Sequence, residues 1–437
     1  MTNMTENADS TVKIGHIVDI SPSPSELGNL SRDLNVSFVP LDGFGKKGEI
    51  DYRETRKLSE VIDQYTYFAE DDIALAKITP SFENGKGAIC RSLENGIGFG
   101  TTELHVLRPR SGISPEFLWY CLRSKRFRDA AEAAMRGSAG QQRVPAEFIK
   151  NYEIPDYSVD KQRQIVDYIQ ENVDTIEEAE GKAKSFIQAC KTEIDHVVKE
   201  YVTTGIGDED FLSESGVSWI GEIPEHWDTV RTRFVADLHS GHTPDRSNDE
   251  YWEDTDIPWV TTSDIKPFRE GRKRYLHETE NQISELGMQN SGAHLLPERT
   301  VFLSRTASVG FSGIMSKPMA TSQDFANWVC GDEIIPEYLL YVFRSMDQEF
   351  ERLMQGSTHQ TIYMPDIKSF KTPLPPLDEQ REIVEHIETE TERLWELIDR
   401  VDETIDLLEE KRQALITAAV TGQIDMSEEK GVIQEHK

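Results

Sequence analysis

The sequence predicts an α+β chain built twice over: two α/β domains joined by two long antiparallel coiled-coil helices, a pseudo-two-fold duplication. Three observations carry this. Asp378-Glu379-Gln380-Arg381-Glu382-Ile383-Val384 answers Asp160-Lys161-Gln162-Arg163-Gln164-Ile165-Val166, 218 residues upstream in a chain of 437. Each copy opens a long stripe of apolar residues in alternating three- and four-residue steps, the pattern of a helix-pair seam. The stretches before the two stripes repeat the same order of strand, helix and glycine-rich loop signals.

In the second stripe the seam positions hold Val384, Ile387, Thr391, Leu394, Ile398, Val401, Ile405, Leu408, Arg412, Leu415 and Ala419. The first gives Val166, Ile169, Val173, Ile176, Glu180, Ala183, Ile187, Cys190, Ile194, Val197 and Tyr201, with Glu180 breaking it. Asp160 and Asp378 suit helix N-caps, where a carboxylate accepts an orphan backbone N–H. Gly205 and Gly422 suit the left-handed residue just past a helix end. An apolar seam on a lone helix would face water, so two seams in one chain most simply bury each other. Antiparallel pairing would then relate the halves by an approximate two-fold axis and hold a globular domain at each end of a rod. The alternative is two unrelated amphipathic helices, each packed on its own domain. The expected boundaries are a domain over 1–156, a helix over 157–206, a domain over 207–374, a helix over 375–424 and a polar tail over 425–437.

Taken in order, the first domain predicts strands at 36–41, 73–78 and 103–107 and a helix from Pro115. A glycine-rich loop follows at Gly137-Ser138-Ala139-Gly140-Gln141-Gln142, then an extended piece ending at Pro155. The second repeats this at 257–261, 300–305, a helix from Pro336, and Gly356-Ser357-Thr358-His359-Gln360.

A hydrophobic share of 37% is adequate for cores, and no apolar run approaches the ~20 residues of a membrane span. The first ten residues lack the basic and apolar parts of a signal peptide. Cys90, Cys121, Cys190 and Cys330 form no C-x-x-C pair, which fits a reducing cytoplasm and neither a zinc site nor a disulfide framework. Net charge is −32, from 79 acidic against 47 basic residues. Taken alone, that argues against a nucleic-acid partner, but basic clusters survive at Arg123 to Arg128 and Arg269 to Arg274. Excess surface carboxylate also resembles proteins of a high-salt cytoplasm; full stability in dilute buffer would count against that.

Catalytic signatures are absent. There is no Walker A stretch and no Asn-Pro-Pro-aromatic or Asp-Pro-Pro-aromatic tetrad of amino methylation. Gly96-Ile97-Gly98-Phe99-Gly100 lacks dinucleotide-loop spacing and is expected to be a hairpin turn. His239 and His242 stand in a Ser-Gly-Thr-Pro context that reads as a solvated loop, so no metal site is expected. Glu409-Glu410-Lys411 resembles the tail of a nuclease signature but falls inside a seam helix, on a charged face.

Three loop regions recur in both halves and mix cations with amides and hydroxyls. In the first half they hold Lys77 and Thr79, then Lys86 and Arg91, then Gln141, Gln142 and Arg143. In the second they hold Arg269, Arg272, Lys273 and Arg274, then Arg305, Thr306 and Ser308, then Thr358, His359, Gln360 and Tyr363. Arg and Gln pair in bidentate fashion with guanine and adenine edges, while Lys, Ser and Thr suit phosphates. For any one of these residues a plain turn or surface role is as good a reading; the recurrence is what points to DNA.

Leu374-Pro375-Pro376-Leu377-Asp378-Glu379-Gln380-Arg381-Glu382-Ile383-Val384 and Leu408-Glu409-Glu410-Lys411-Arg412-Gln413-Ala414-Leu415-Ile416 resemble the distal conserved region of specificity subunits of type I restriction–modification systems. Trp219-Ile220-Gly221-Glu222-Ile223-Pro224-Glu225-His226-Trp227 resembles the opening of their second target-recognition domain. Leu75-Ala76-Lys77-Ile78-Thr79-Pro80 and Thr102-Glu103-Leu104-His105-Val106-Leu107-Arg108-Pro109 resemble pieces of the first. The resemblance implies a non-catalytic, cytoplasmic subunit whose two target-recognition domains each read half of a split double-stranded DNA site. Its helices would set the spacing and dock two modification subunits, which methylate adenine with S-adenosylmethionine. Restriction subunits, using ATP and Mg, would join them; no cofactor is implied for this chain. Glu180, Gly181 and the negative charge depart from the pattern. Two other readings stay open: a coiled-coil scaffold that binds only proteins, and an enzyme with an unrecognised site.

Overall fold

The computed structural model describes residues 10–52, 54–138, 140–207, 211–355 and 360–424. Thr358 and His359, with the rest of the second glycine-rich loop up to Gln360, lie outside them, as does Ala139 of the first. The chain divides into two compact units, Met1–Ala183 with Glu403–Lys437, and Lys184–Asp402. The two long helices, Val159–Thr204 and Leu377–Val420, each contribute to both units. Among the described residues no helix is long and apolar enough to cross a membrane.

The first unit has two four-stranded sheets. The strands of these sheets are β1 (Val18–Ile20), β2 (Asn35–Val39), β3 (Glu54–Lys57), β4 (Thr66–Ala69), β5 (Ile73–Ala76), β6 (Gly87–Ile89), β7 (Ile97–Gly100) and β8 (Leu104–Pro109). One sheet runs β1-β8-β5-β6 and is antiparallel throughout. The other runs β3-β2-β7-β4, with β2 parallel to β7 and both outer strands antiparallel. All four residues of β5, Ile73-Ala74-Leu75-Ala76, are buried, because this central strand is covered on both faces. The glycines of 96–100, expected in a turn, reach a turn only at Asn95–Gly96. Ile97–Gly100 is the buried inner strand β7, and a Cβ at Gly98 would meet the Phe68 ring at 2.1 Å.

After β8, α1 (Pro115–Arg123) starts with Ser114 as N-cap, its hydroxyl accepting the Phe117 N–H at 3.3 Å, and with Pro at the first turn. A corner at Ser124 leads into α2 (Lys125–Ala133). The long helix α3 is Val159–Thr204.

The second unit repeats this plan. The strands of its two larger sheets are β9 (Ala236–Ser240), β10 (Ile257–Val260), β11 (Tyr275–Leu276), β12 (Asn281–Ile283), β13 (Val301–Ser304), β14 (Ser312–Met315), β15 (Ala320–Thr321) and β16 (Phe325–Cys330). Sheet β9-β16-β13-β14-β11 reproduces β1-β8-β5-β6 with one added strand. Sheet β12-β10-β15 reproduces β3-β2-β7, including the parallel pair, here Trp259 beside Ala320. Helices α4 (Pro336–Arg344) and α5 (Asp347–Met354) follow, and α6 (Leu377–Val420) closes the described fold. His239 belongs to β9 rather than a loop, its ring 6.4 Å from that of His294.

Within each unit the two long-helix segments run antiparallel. In the first, Ile165, Ile169 and Val173 of α3 share a core with Ile416, Ala419 and Val420 of α6, and Arg412 lies 3.5 Å from Glu177. In the second, Cys190, Ile194, Val198 and Val202 share a core with Ile383, Val384, Ile387, Trp395 and Ile398. There the His386 ring lies 3.1 Å from the Tyr201 hydroxyl. Four expected seam positions, Val166, Val197, Leu394 and Leu415, are only partly buried; Ile165, Val198, Trp395 and Ile416 take their places. Toward their ends these helices keep the 3.6-residue period of a straight helix rather than the 3.5 of a supercoil, because there they pack on the domain cores as well as on each other. Ile176 is buried, while Ile187, Val401, Ile405 and Leu408 are half-buried.

The N-caps also differ from expectation. α3 begins before Asp160, and Ser158 caps it, its hydroxyl accepting the Lys161 N–H at 3.3 Å. Asp160 and Asp378 sit inside the first turns, where a negative charge complements the helix dipole, and each pairs with the arginine three residues on. Gly205 and Gly422 end the helices at φ +74° and +75° as expected, and a Cβ would meet Trp227 at 2.9 Å or Tyr157 Oη at 2.5 Å.

The duplicated Asp-x-Gln-Arg motif has a structural reason. Gln380 is fully buried; its Oε1 accepts the Ile335 N–H at 2.9 Å, and its Nε2 donates to the carbonyls of Glu333 (2.8 Å) and Pro375 (2.9 Å). Gln162 does the same for Ser114 N–H (2.8 Å), Gly112 (3.0 Å) and Tyr157 (2.9 Å). Each glutamine satisfies backbone that enters the next helix of its domain, fastening the start of a long helix to that domain.

Candidate nucleic-acid interface

In the first unit, backbone pairing gathers one loop edge. The chain leaving β5 bridges to the end of the glycine-rich loop. Lys77 N–H donates to Glu103 (2.9 Å), Val144 N–H donates to Lys77 (2.9 Å), and Thr79 N–H donates to Gln142 (2.9 Å). Ile78 and Arg136 each form a bridge with Arg143. The Arg143 guanidinium grips Glu103 with two bonds of 2.8 Å, which holds the Glu103 carboxyl below the usual range. His105, buried beneath, sets Nε2 2.8 Å from the Val144 carbonyl; burial keeps its pKa below the ordinary histidine value. Thr79 donates to Glu83 at 2.8 Å, and Gln141 is exposed. Lys77, Thr79, Gln141, Gln142 and Arg143 thus share one edge.

Among the described residues no side-chain bond ties Lys86 or Arg91 to that edge. Lys86 Nζ donates to the Leu41 carbonyl at 3.3 Å, and Arg91 is held by Asp71 (2.8 Å) and Glu116.

The second unit builds the same edge from the chain leaving β13. Ile362 N–H donates to Arg305 at 2.9 Å, and Thr306 forms a bridge with Thr361. The Arg305 guanidinium donates to the Gln323 (2.9 Å) and Ile362 (3.4 Å) carbonyls. Ser308 N–H closes a tight turn on Thr306. Gln360 is exposed at φ +46°, and Tyr363 is 56% exposed.

The basic cluster of 269–274 divides. Arg272 reaches Asp399 (2.7 Å) and Glu392 (3.5 Å) on α6, and Arg274 pairs with Glu388 there. Their charges clip the domain to its own long helix. Arg269 and Lys273 lie against Phe311 and Phe268, with no salt bridge among the described residues. The first unit has an equivalent clip: Lys47, from the loop after β2, reaches Glu180 (2.8 Å) and Glu177 (3.3 Å) on α3. Glu180, the residue that breaks the seam, is 4% exposed and has this lysine as its counter-ion. Among the described residues no cluster of three or more metal-ligating side chains occurs.

Residues 224–417 match the family described as the type I restriction modification DNA specificity domain. Over 202 residues the chain is 36% identical to the specificity subunit of the type I restriction enzyme EcoAI of Escherichia coli, covering 46% of this chain and 33% of that subunit. Over 224 residues it is 35% identical to the EcoEI specificity subunit of the same organism, covering 51% of this chain and 36% of that one. The chain is thus similar to the specificity subunits of type I restriction–modification systems. Its matches span about a third of the length of those two relatives. A solved chain from work on complex assembly and conformational transition of the type I R-M system shares the fold, with a TM-score of 0.70 at 20% identity, over 95% of this chain and 98% of that one.

Several residues of this interface escaped the sequence reading. Glu103 and His105, which fix the first edge, carry no motif of their own. Gln323 and Thr243, hydrogen-bonded to each other beside Arg305, are equally silent. Gln162 and Gln380 did leave a signal, as one polar residue kept at the same place in both copies.

Proposed function

We propose that the chain is the DNA-specificity subunit of a type I restriction–modification complex. Each unit reads one half of a bipartite double-stranded site. Residues 1–156 and 207–374 act as target-recognition domains, and 157–206 and 375–424 act as the spacer that docks two modification (adenine methyltransferase) subunits and the restriction (translocase/nuclease) subunits. The chain performs no chemistry itself; S-adenosylmethionine, ATP and Mg belong to its partners, in the cytoplasm. The observation that carries this reading is the repeated edge, a strand exit bridged to Gln142–Val144 in one unit and to Thr361–Ile362 in the other, with Gln141, Gln142 and Arg143 on the first and Arg305, Thr306 and Gln360 on the second. Amides and guanidiniums on a pinned backbone suit base-edge readout.

The test is methylated-adenine mapping in cells carrying the modification subunits. Alanine at Gln141, Gln142 and Arg143 is expected to alter or abolish recognition of one half-site. Alanine at Arg305, Thr306 and Gln360 is expected to alter the other. An unchanged motif in both variants would refute the assignment and favour the protein-binding scaffold.

A further inference from the structure

The first unit contains a cavity of about 450 Å³ walled by the loop at Lys46, the α1–α2 corner and the last turns of α6. Six cationic side chains line it against four carboxylates. Arg123 is 6% exposed; it donates to the Lys46 carbonyl at 2.7 Å and has no salt bridge among the described residues. Among the described residues Arg128 donates only to the carbonyls of Phe82 (3.1 Å) and Glu83. Arg412 is 5% exposed, and its Nε is buried without an acceptor, although its terminal nitrogens meet Glu409 (2.6 Å) and Glu177. Burial, then the like charges of Arg412 and Arg128, push Arg123 down to about 10. Three guanidiniums therefore line one space, and among the described residues only that of Arg412 is in a salt bridge. Asp129 is taken by Lys125, Glu83 accepts from Thr79 through Oε1 while its Oε2 is buried with no hydrogen-bond partner among the described residues, Glu409 holds Arg412, and Glu132 is exposed at the rim. A buried cation without a counter-charge is costly.

The second unit supplies an internal contrast. Arg344 ends α4 as Arg123 ends α1, and it likewise donates to loop carbonyls, those of Gly271 and Lys273 (2.7 Å). The adjoining cavity of about 350 Å³ is balanced, with five cationic and five carboxylate side chains, and Arg272 and Arg274 are paired there. The shared arginine is thus part of the common scaffold, while the excess of cationic over carboxylate side chains around it is seen in the first unit and not in the second.

We propose that the cavity of the first unit is a site for a tetrahedral oxyanion of the phosphate class, held by Arg123, Arg128 and Arg412 with Lys46 at its mouth. Guanidinium forks match such an anion in charge and geometry. The anion is either free in solution or a phosphate of the DNA backbone, and two measurements on the full chain separate these sources.

The first measurement is the thermal midpoint against inorganic phosphate, with chloride at matched ionic strength as control. A saturable rise is expected. Arg128→Gln should weaken its apparent affinity roughly tenfold or more, as loss of a charged hydrogen bond does. Lys46→Gln, at the exposed mouth, should weaken it less and serves if the first variant folds poorly.

The second measurement is the salt slope of DNA binding. A slope about one unit shallower in Arg128→Gln assigns the site to a backbone phosphate. An unchanged slope with a lost phosphate response assigns it to the free anion. No phosphate response together with an unchanged slope, or a response that survives both substitutions, overturns the proposal. The phosphate measurement does not rest on the DNA reading, so the two can fail separately.

Discussion

Replacing Gln380 with leucine tests whether the duplicated motif is a fastening or a surface signature. The side chain is fully buried and makes three bonds of 2.8–2.9 Å to the Ile335 N–H and the Glu333 and Pro375 carbonyls. Leucine fills similar volume, so the loss of packing is small. Three backbone groups, however, lose their partner in a place water reaches poorly. Each such group costs about 1–3 kcal/mol, and partial relaxation brings the sum to roughly 3–6 kcal/mol. That is a large part of the ~5–15 kcal/mol of a typical domain. Gln380→Glu should be no rescue, because a carboxylate accepts from Ile335 but donates to neither carbonyl. The assay is urea unfolding with slopes compared, joined to amide hydrogen exchange at Ile335, which should lose protection. Gln162→Leu should reproduce the effect in the first unit, with exposure of Ser114 N–H. If Gln380→Leu stays within about 1 kcal/mol of the parent at an unchanged slope, the fastening argument is wrong.

Two further predictions concern buried charge. Lys47→Ala strips Glu180 of its lysine, and breaking a buried pair costs about 3–5 kcal/mol; since Lys47 is about one-third exposed, the lower end is expected, read as a lowered thermal midpoint. Adding Glu180→Gln should recover most of the loss, and a double variant no better than the single would contradict the pairing. His105 has a depressed pKa, chiefly through burial, so the folded first unit holds fewer protons there than the unfolded chain. Its contribution is complete above the ordinary histidine value of about 6.5 and is lost as pH falls below that. His105→Gln should flatten this part of the stability–pH curve, and an identical curve would discount His105 as its source.

The repeat made the architecture legible because two copies of one solution leave matching marks. The caps, the glycines and the seam could each be checked against a twin. What failed was local. Asp160 and Asp378 look like caps, but the helices start earlier, at places set by Gln162 and Gln380 gripping the preceding loop. Gly96-Ile97-Gly98-Phe99-Gly100 reads as a turn by composition, yet the close approach of Phe68 requires glycine inside a strand. Charge was least legible. A sequence shows that Arg143 and Arg272 are cations but not that Glu103, 40 residues away, and Asp399, 127 residues away, already hold them.

That last point bears on how so acidic a chain would, on the proposed function, meet DNA. Counting lysines and arginines in loops assumes each is available to a phosphate. Here Arg91, Arg143, Arg272 and Arg274 face carboxylates of their own unit, and Arg305 is turned onto carbonyls. An arginine fixed in this way gives up free charge but gains position. Its remaining N–H groups point in a set direction, at less entropic cost on binding. The internal pairs therefore favour discrimination over raw attraction. On the proposed function, specificity resides in this chain, and most of the phosphate-driven affinity falls to the subunits docked on it.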